Sequence, residues 1–254
     1  MEKLTRMDLY YGRTGLTIGN FEGMHKGHVK IISTLVNECS KNNLIPAVLT
    51  FKNHPVEVIY GKKSRQLWSP GDMICSFKQQ GIELLLYIGF SPDFAALEPL
   101  GFLDRVWQDL FPRVICLGES FRFGKNNKGD TSFLEKYSSE YQYTLVKVKE
   151  VKDGGGPVSS TRIRRYIKNG QIDKANRLLG RSYQVYFKPA VHSPNTLEPF
   201  IEDTALPSEG IYKGQMIDLV SGRKQQASLK IADRSIRAPG IKMEEGVLYR
   251  FVFW

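Results

Sequence analysis

Between Leu16 and Tyr183, short apolar runs alternate with stretches whose apolar residues recur at helical spacing, and beyond Tyr183 that alternation stops. The candidate strands are residues 16–18, 45–51, 82–88, 113–117 and 143–151. Between them, residues 27–42, 70–80 and 99–110 carry helical periodicity, and residues 132–141 carry it more weakly. Ser69 followed by Pro70 supplies an N-cap and a first helical position. Runs apolar on both faces, alternating with helices, predict an α/β fold with a parallel sheet covered by helices. After Tyr183, proline and glycine punctuate β-rich runs such as "GIYKGQMI" from Gly210, "ASLKI" from Ala227 and "VLYRFVFW" from Val247. These predict a small all-β unit. The expected division is residues 1–182 and 183–254.

Composition excludes several classes. Of 254 residues, 41% are hydrophobic and 24% charged, as in ordinary globular proteins. The longest apolar run, "IELLLYIGF" from Ile82, is broken by Glu83 and falls short of the ~20 residues of a membrane span. The opening "MEKLTRMDLYYGR" has no apolar segment, so no signal peptide is expected and the cytoplasm is the expected location. Cys39, Cys75 and Cys116 are odd in number and widely spaced, which fits neither a disulfide framework nor a zinc cluster. A net charge of +10 favours anionic partners, either nucleic acid or nucleotides, unless it reflects only a basic surface. Basic residues gather at 62–65, 122–128 and 162–168 without forming a solid block.

The stretch "LTIGNFEGMHKGHVKII", starting at Leu16, holds two of the chain's four histidines. It reads as a strand, a turn at its carboxyl end and a helix opening at Gly27. Open α/β sheets bind ligands at the carboxyl ends of their strands. A helix N-terminus there offers unpaired backbone N–H groups to an anion. Gly19 and Gly23 permit close approach of the backbone, and Gly27 permits tight packing of the helix start. His25 and His28, one turn apart, can aim ring N–H groups at one volume, which suits a phosphate under attack. Two other readings stand beside this one. His-x-x-His is also half of a metal site, though no HExxH follows, the remaining histidines are His54 and His192, and zinc normally takes three or four protein ligands. Packing or capping histidines are the other. The glycine spacing does not match G-x-G-x-x-G.

"TIGNFEGMHKGH" resembles the adenylyltransferase module of bacterial FAD synthetases, the riboflavin kinase/FMN adenylyltransferase family of the HxGH nucleotidyltransferases. Glu22 stands where the family's pattern usually has aspartate. Three more segments match in order: "VLTFKNHPVEVI" from Val48, "LGESFRFGKNNKGD" from Leu117 and "VSSTRIRRYIKNGQIDKANRLLGRSY" from Val158. The resemblance implies a Rossmann-like domain in which FMN attacks the α-phosphate of ATP, giving FAD and pyrophosphate. Mg²⁺ would be held mainly by the ATP phosphates and by no protein ligand. By resemblance His25 and His28 are catalytic, donating to the α-phosphate, with Gly19, Asn20, Phe21, Gly23 and Gly27 along the nucleotide. Ser159, Ser160 and Thr161, at a predicted helix start, and Arg164 one turn on would hold the β- and γ-phosphates. Read alone, that segment favours an ordinary N-cap with a charged solvent face, and it is the resemblance that turns the reading to a phosphate site; Arg162 and Arg165 are expected at the surface.

The flavin needs an apolar slot with a few polar contacts. Phe51, His54 and Pro55 follow the second strand, and Ser120, Phe121, Phe123 and Gly124 follow the fourth, so both sets are expected on the rim of one crevice. Core packing is the other reading of the phenylalanines. Ser120 departs from the family's usual aspartate or asparagine. In bifunctional relatives the C-terminal unit is a β-barrel riboflavin kinase with a GxPTAN signature. Here the corresponding region, "NTLEPFIEDTALPSEGIYKG" from Asn195, has no PTAN, although "PSEGIY" and "LYRFVFW" resemble parts of that fold. The kinase's later helix and catalytic glutamate have no evident counterpart, so a reduced, kinase-inactive barrel is expected. No recognition-helix, zinc-finger or aromatic-platform pattern supports a nucleic-acid partner. ATP and FMN are the expected partners, with neither nucleic acid nor membrane, and the sequence carries no signal for an oligomeric state. The alternatives are a nucleic-acid binder and a nucleotidyltransferase with another phosphate-ester acceptor.

Overall fold

The structure is a computed structural model that describes residues 11–190, 193–233 and 235–254; His192 and most of the opening segment read for a signal peptide lie outside the described residues. The chain divides into two compact units, one formed by residues up to 21, 27–64 and 74–157, the other by 22–26, 65–73 and 158–254.

The first unit is a five-stranded parallel sheet. In chain order the strands are β1 (Thr14–Ile18), β2 (Ile45–Phe51), β3 (Leu84–Ile88) and β4 (Val114–Gly118), then the short antiparallel pair β5 (Arg122–Phe123) and β6 (Gly129–Asp130), and β7 (Thr144–Val148). Spatial order is β3-β2-β1-β4-β7. The order reverses between β1 and β4, so the segments leaving these two strands start at the sheet's topological switch point. Helices α1 (Lys26–Asn42), α2 (Pro55–Tyr60), α3 (Pro70–Gln79), α4 (Pro92–Ala95), α5 (Pro99–Leu110) and α6 (Thr131–Tyr137) connect the strands. All five residues of β1 are buried, the mark of a strand covered on both faces. The core includes Leu16, Leu49, Ile115 and Leu117 from the sheet, against Phe102, Leu103, Val106 and Leu110 of α5. Each such side chain contributes roughly 1.5–3 kcal/mol by burial. Gly15 lets α1 lie close on β1, because a Cβ there would fall 2.3 Å from the Cys39 sulfur.

In the second unit, α7 (Ser160–Lys168) and α8 (Ile172–Leu179) precede a closed antiparallel barrel. Its strands are β8 (Gln184–Ala190), β9 (Ser193–Pro199), β10 (Gly210–Asp218), β11 (Lys224–Ala232), β12 (Ser235–Arg237) and β13 (Tyr249–Phe253), in spatial order β10-β11-β12-β9-β8-β13. Alternate residues fill the barrel, Val185 and Phe187 from β8 and Tyr249, Phe251 and Phe253 from β13. The Asn176 amide ties α8 to the barrel: its oxygen accepts the Tyr183 N–H at 2.6 Å and its nitrogen donates to the Phe253 carbonyl at 3.4 Å. The α/β architecture with a parallel sheet and a C-terminal barrel is the one the sequence pattern implies. Among the described residues, no helix is long and apolar enough to cross a membrane.

Candidate functional site

The turn leaving β1 is held tightly and bent sharply. The Gly19 N–H donates to the Leu49 carbonyl at 3.1 Å, and the Thr50 hydroxyl donates to the Asn20 carbonyl at 3.4 Å. Phe21 is a buried residue in left-handed conformation, φ 46°, with its ring edge-on to His28 at 5.2 Å and to Phe77 at 5.4 Å. A 3-10 turn over Glu22–Met24 follows, with φ 74° at Gly23 and 39° at Met24. Left-handed conformations crowded into four residues store strain of a kind that gathers at functional sites. His25 is 6% exposed, and burial lowers its pKa to about 4, a backbone hydrogen bond opposing part of that effect. It is therefore a neutral imidazole near pH 7. His28 stands in the first turn of α1.

Within the second unit, the start of α7 meets Glu22. Ser159 is the N-cap, its hydroxyl oxygen accepting the Arg162 N–H at 3.3 Å. Ser160 donates its hydroxyl to the Glu22 carbonyl at 2.9 Å, and Thr161 is exposed. Arg164 lies against the same turn. Its Nε donates to the Arg65 carbonyl at 2.6 Å and its Nη2 lies 3.6 Å from Glu22 Oε2. Burial lowers the guanidinium pKa and the Glu22 charge opposes the shift. Glu22 Oε1 also accepts the Leu67 N–H at 2.6 Å, and Arg181 Nη2 donates to the Gly23 carbonyl at 3.2 Å while its guanidinium covers Trp68 at 5.5 Å. Sequence reasoning noted Glu22 only as a departure from the family's pattern and Arg65 only within a basic cluster, and it did not single out Leu67, Trp68 or Arg181. The motif itself contained Glu22 and "GRSY" contained Arg181, but nothing local signals that they converge. Arg162 turns away, donating to the Tyr166 hydroxyl at 3.1–3.3 Å.

In the first unit, the phenylalanines considered for a flavin form one aromatic chain. Phe51 meets Phe90 at 5.0 Å and Phe94 at 5.7 Å, Phe94 meets Phe102, and Phe102 meets Phe123 at 5.0 Å. Phe121 stacks on Phe123 at 5.7 Å and 19°. Phe123 is buried in the core, Phe121 is half-buried and Ser120 is exposed. His54 caps α2, its Nδ1 accepting the Val56 N–H at 3.2 Å, and Pro55 is the first residue of that helix. Gly124 has φ 70° and its Cβ position abuts Pro99 at 3.1 Å. Asn53, missed by sequence, clasps the Phe90 backbone, donating to its carbonyl and accepting its N–H, each at 2.8 Å.

Among the described residues, no three His, Cys, Asp or Glu side chains gather as a metal site. The model of the FAD synthetase family matches residues 10–162, more than half of the chain. The chain belongs to the FAD synthetase family. It is similar to the bifunctional riboflavin kinase/FMN adenylyltransferase of Escherichia coli K12, 30% identical over 172 residues, 67% of this chain and 55% of that one. The protein of the same description from Bacillus subtilis 168 is 31% identical over 170 residues, 66% and 54% of the two chains. The matched part of this FAD synthetase family member thus spans about half the length of these relatives. A solved structure from Streptococcus pneumoniae, described as a macrolide-efflux protein, shares the fold with a TM-score of 0.82 at 21% identity, over 95% of this chain and 85% of that one.

Proposed function

We propose that this protein transfers the adenylyl group of ATP to FMN, giving FAD and pyrophosphate. The observation that carries the reading is the family match over residues 10–162, which includes both the His25–His28 motif and the Ser159–Thr161 helix start. On this reading an ionised FMN phosphate oxygen attacks the α-phosphorus and forms a P–O bond. The bond from the α-phosphorus to the bridging oxygen breaks, and the electron pair leaves on pyrophosphate. No general base is required, so positioning and charge stabilisation dominate. His25 and His28 donate to the α-phosphate as its negative charge grows. The low pKa of His25 supports a neutral donor, which offers its ring N–H to the phosphate without carrying charge into a buried place. Gly19, Asn20, Phe21, Gly23 and Gly27 flank the nucleotide. The α7 start, with Ser159, Ser160 and Thr161, and the Arg164 guanidinium receive the departing diphosphate. ATP enters as its Mg²⁺ complex, the metal carried by phosphate oxygens.

FMN is assigned to the residues around the aromatic chain, with Phe121 as the stacking face because it is half-buried where Phe123 is enclosed. The catalytic labour falls to residues 1–182, and residues 183–254 form a reduced kinase-like barrel without riboflavin kinase activity, because the region from Asn195 to Gly214 lacks PTAN. The reaction is proposed for the cytoplasm. The test is incubation of the purified protein with Mg²⁺, ATP and, separately, FMN, riboflavin, phosphopantetheine or nicotinamide mononucleotide, with products separated by chromatography. FAD from FMN alone is expected. Adenylylation of another acceptor in preference to FMN overturns the substrate, and FMN formed from riboflavin overturns the loss of kinase.

A further inference from the structure

We propose that Glu22 is a positioning residue that sets ATP affinity through Arg164. The role given to Arg164 rests on the adenylyltransferase reading above. Glu22 and Arg164 have side chains only 15% and 20% exposed, so the guanidinium sits where an uncompensated charge is costly. Among the described residues, the Arg65 carbonyl on Nε at 2.6 Å and the Glu22 carboxylate 3.6 Å from Nη2 compensate it. Both fall on the Nε–Nη2 side of the fork, and in this proposal Nη1 is given to the phosphate. Glu22 is itself fixed, its other carboxylate oxygen accepting the Leu67 N–H at 2.6 Å and its carbonyl accepting the Ser160 hydroxyl at 2.9 Å. The carboxylate therefore spans from the backbone of Leu67 to Arg164. An aspartate would withdraw it by about 1.5 Å, one carbon–carbon bond, and could not hold both. This gives a physical reason for glutamate at a position where the family's pattern usually has aspartate.

Without the carboxylate, a largely desolvated guanidinium gains by swinging to solvent, and the phosphate side of its fork is lost with it. The test is a double-mutant cycle read as the Kd of Mg·ATP in the absence of acceptor, by titration calorimetry on the full chain. Glu22→Gln and Arg164→Ala should each weaken ATP by ~10-fold or more, the scale of one hydrogen bond to a charged group. The double variant should bind no more weakly than Arg164→Ala, because the carboxylate acts only through that guanidinium. Glu22→Asp should also weaken ATP, and the KM for FMN should stay unchanged in both Glu22 variants. Should Glu22→Gln not fold, as judged by its thermal midpoint, Glu22→Asp carries the cycle. ATP bound by the Glu22 variants as tightly as by the wild type, or full additivity with Arg164→Ala, overturns the proposal. A wild type that binds ATP but makes no FAD would instead overturn the proposed reaction and leave the cycle readable.

Discussion

Gly23→Ala tests whether the bent turn before His25 is held by packing as well as by backbone geometry. Gly23 has φ 74°, and a Cβ built there lies 2.9 Å from Leu67 Cδ1 and 3.1 Å from Leu67 Cβ. Placing alanine in the left-handed region costs about 1–2 kcal/mol. Leu67 is fully buried and its N–H is bound to Glu22, so it cannot step aside freely; overpacking of this kind adds roughly 1–3 kcal/mol. The expected loss is about 2–5 kcal/mol, a large share of a typical domain's stability. Urea unfolding followed by tryptophan emission, to which buried Trp68 of the same unit contributes, should show a midpoint lower by about 1–2 M. A companion cycle with Leu67→Ala separates the two causes. Removing the leucine relieves the clash but leaves the dihedral cost, so the two losses should fall short of additive by about 1 kcal/mol or more. Gly23→Ala within about 0.5 kcal/mol of the wild type, or full additivity with Leu67→Ala, refutes the reasoning.

Other expectations follow from the same geometry. His28→Ala should cut adenylyl transfer by ~10²–10³-fold with folding intact, the loss typical of one positioned anion-stabilising donor, and a near-normal rate removes His28 from the mechanism. His25, with an ordinary pKa of 6.5 lowered to about 4 by burial, should give pH-dependent stability. Below pH 6.5 the unfolded chain takes up the proton and the folded chain does not, so stability drains as pH falls towards about 4, by about 3 kcal/mol in all. His25→Asn should flatten that slope between pH 7 and pH 4 in denaturant titrations, and an unchanged slope would assign it to other groups. Gly15→Ala should destabilise the first unit, since its Cβ meets the Cys39 sulfur at 2.3 Å, and Cys39→Ala in the same molecule should restore part of the thermal midpoint.

The parts of this fold legible in sequence were those whose signal is local and long. Residues 45–51 and 99–110 were expected as a strand and a helix, and β2 and α5 occupy those residues. One is an apolar run buried on both faces and the other repeats its apolar residues through three turns. Two helices that went unread, α2 with six residues and α4 with four, have less than two turns and so no period to detect, while α8, eight residues long, was passed over although its apolar residues share one face. Strands β8 and β9 also escaped, both carrying prolines that read as breaks in a run. At the candidate site, the His25–His28 turn and the Ser159 cap were readable as motifs, and the structure adds what stands behind them. His54, read as a flavin contact, accepts a backbone N–H as the cap of a helix too short to foresee.

The parallel sheet, the later β unit and the sharp glycine turn leading into a helix are all written in the order of residues along the chain. Each depends on periodicity or on backbone freedom within a few neighbouring residues. The surroundings of that turn are settled by folding, which brings distant residues against it. Glu22 meets the backbone of a residue 45 positions on, and its own carbonyl takes a hydroxyl from 138 positions on. Such pairings leave no period or spacing in the chain, because a partly buried carboxylate and a partly buried guanidinium are matched by desolvation and charge rather than by sequence distance.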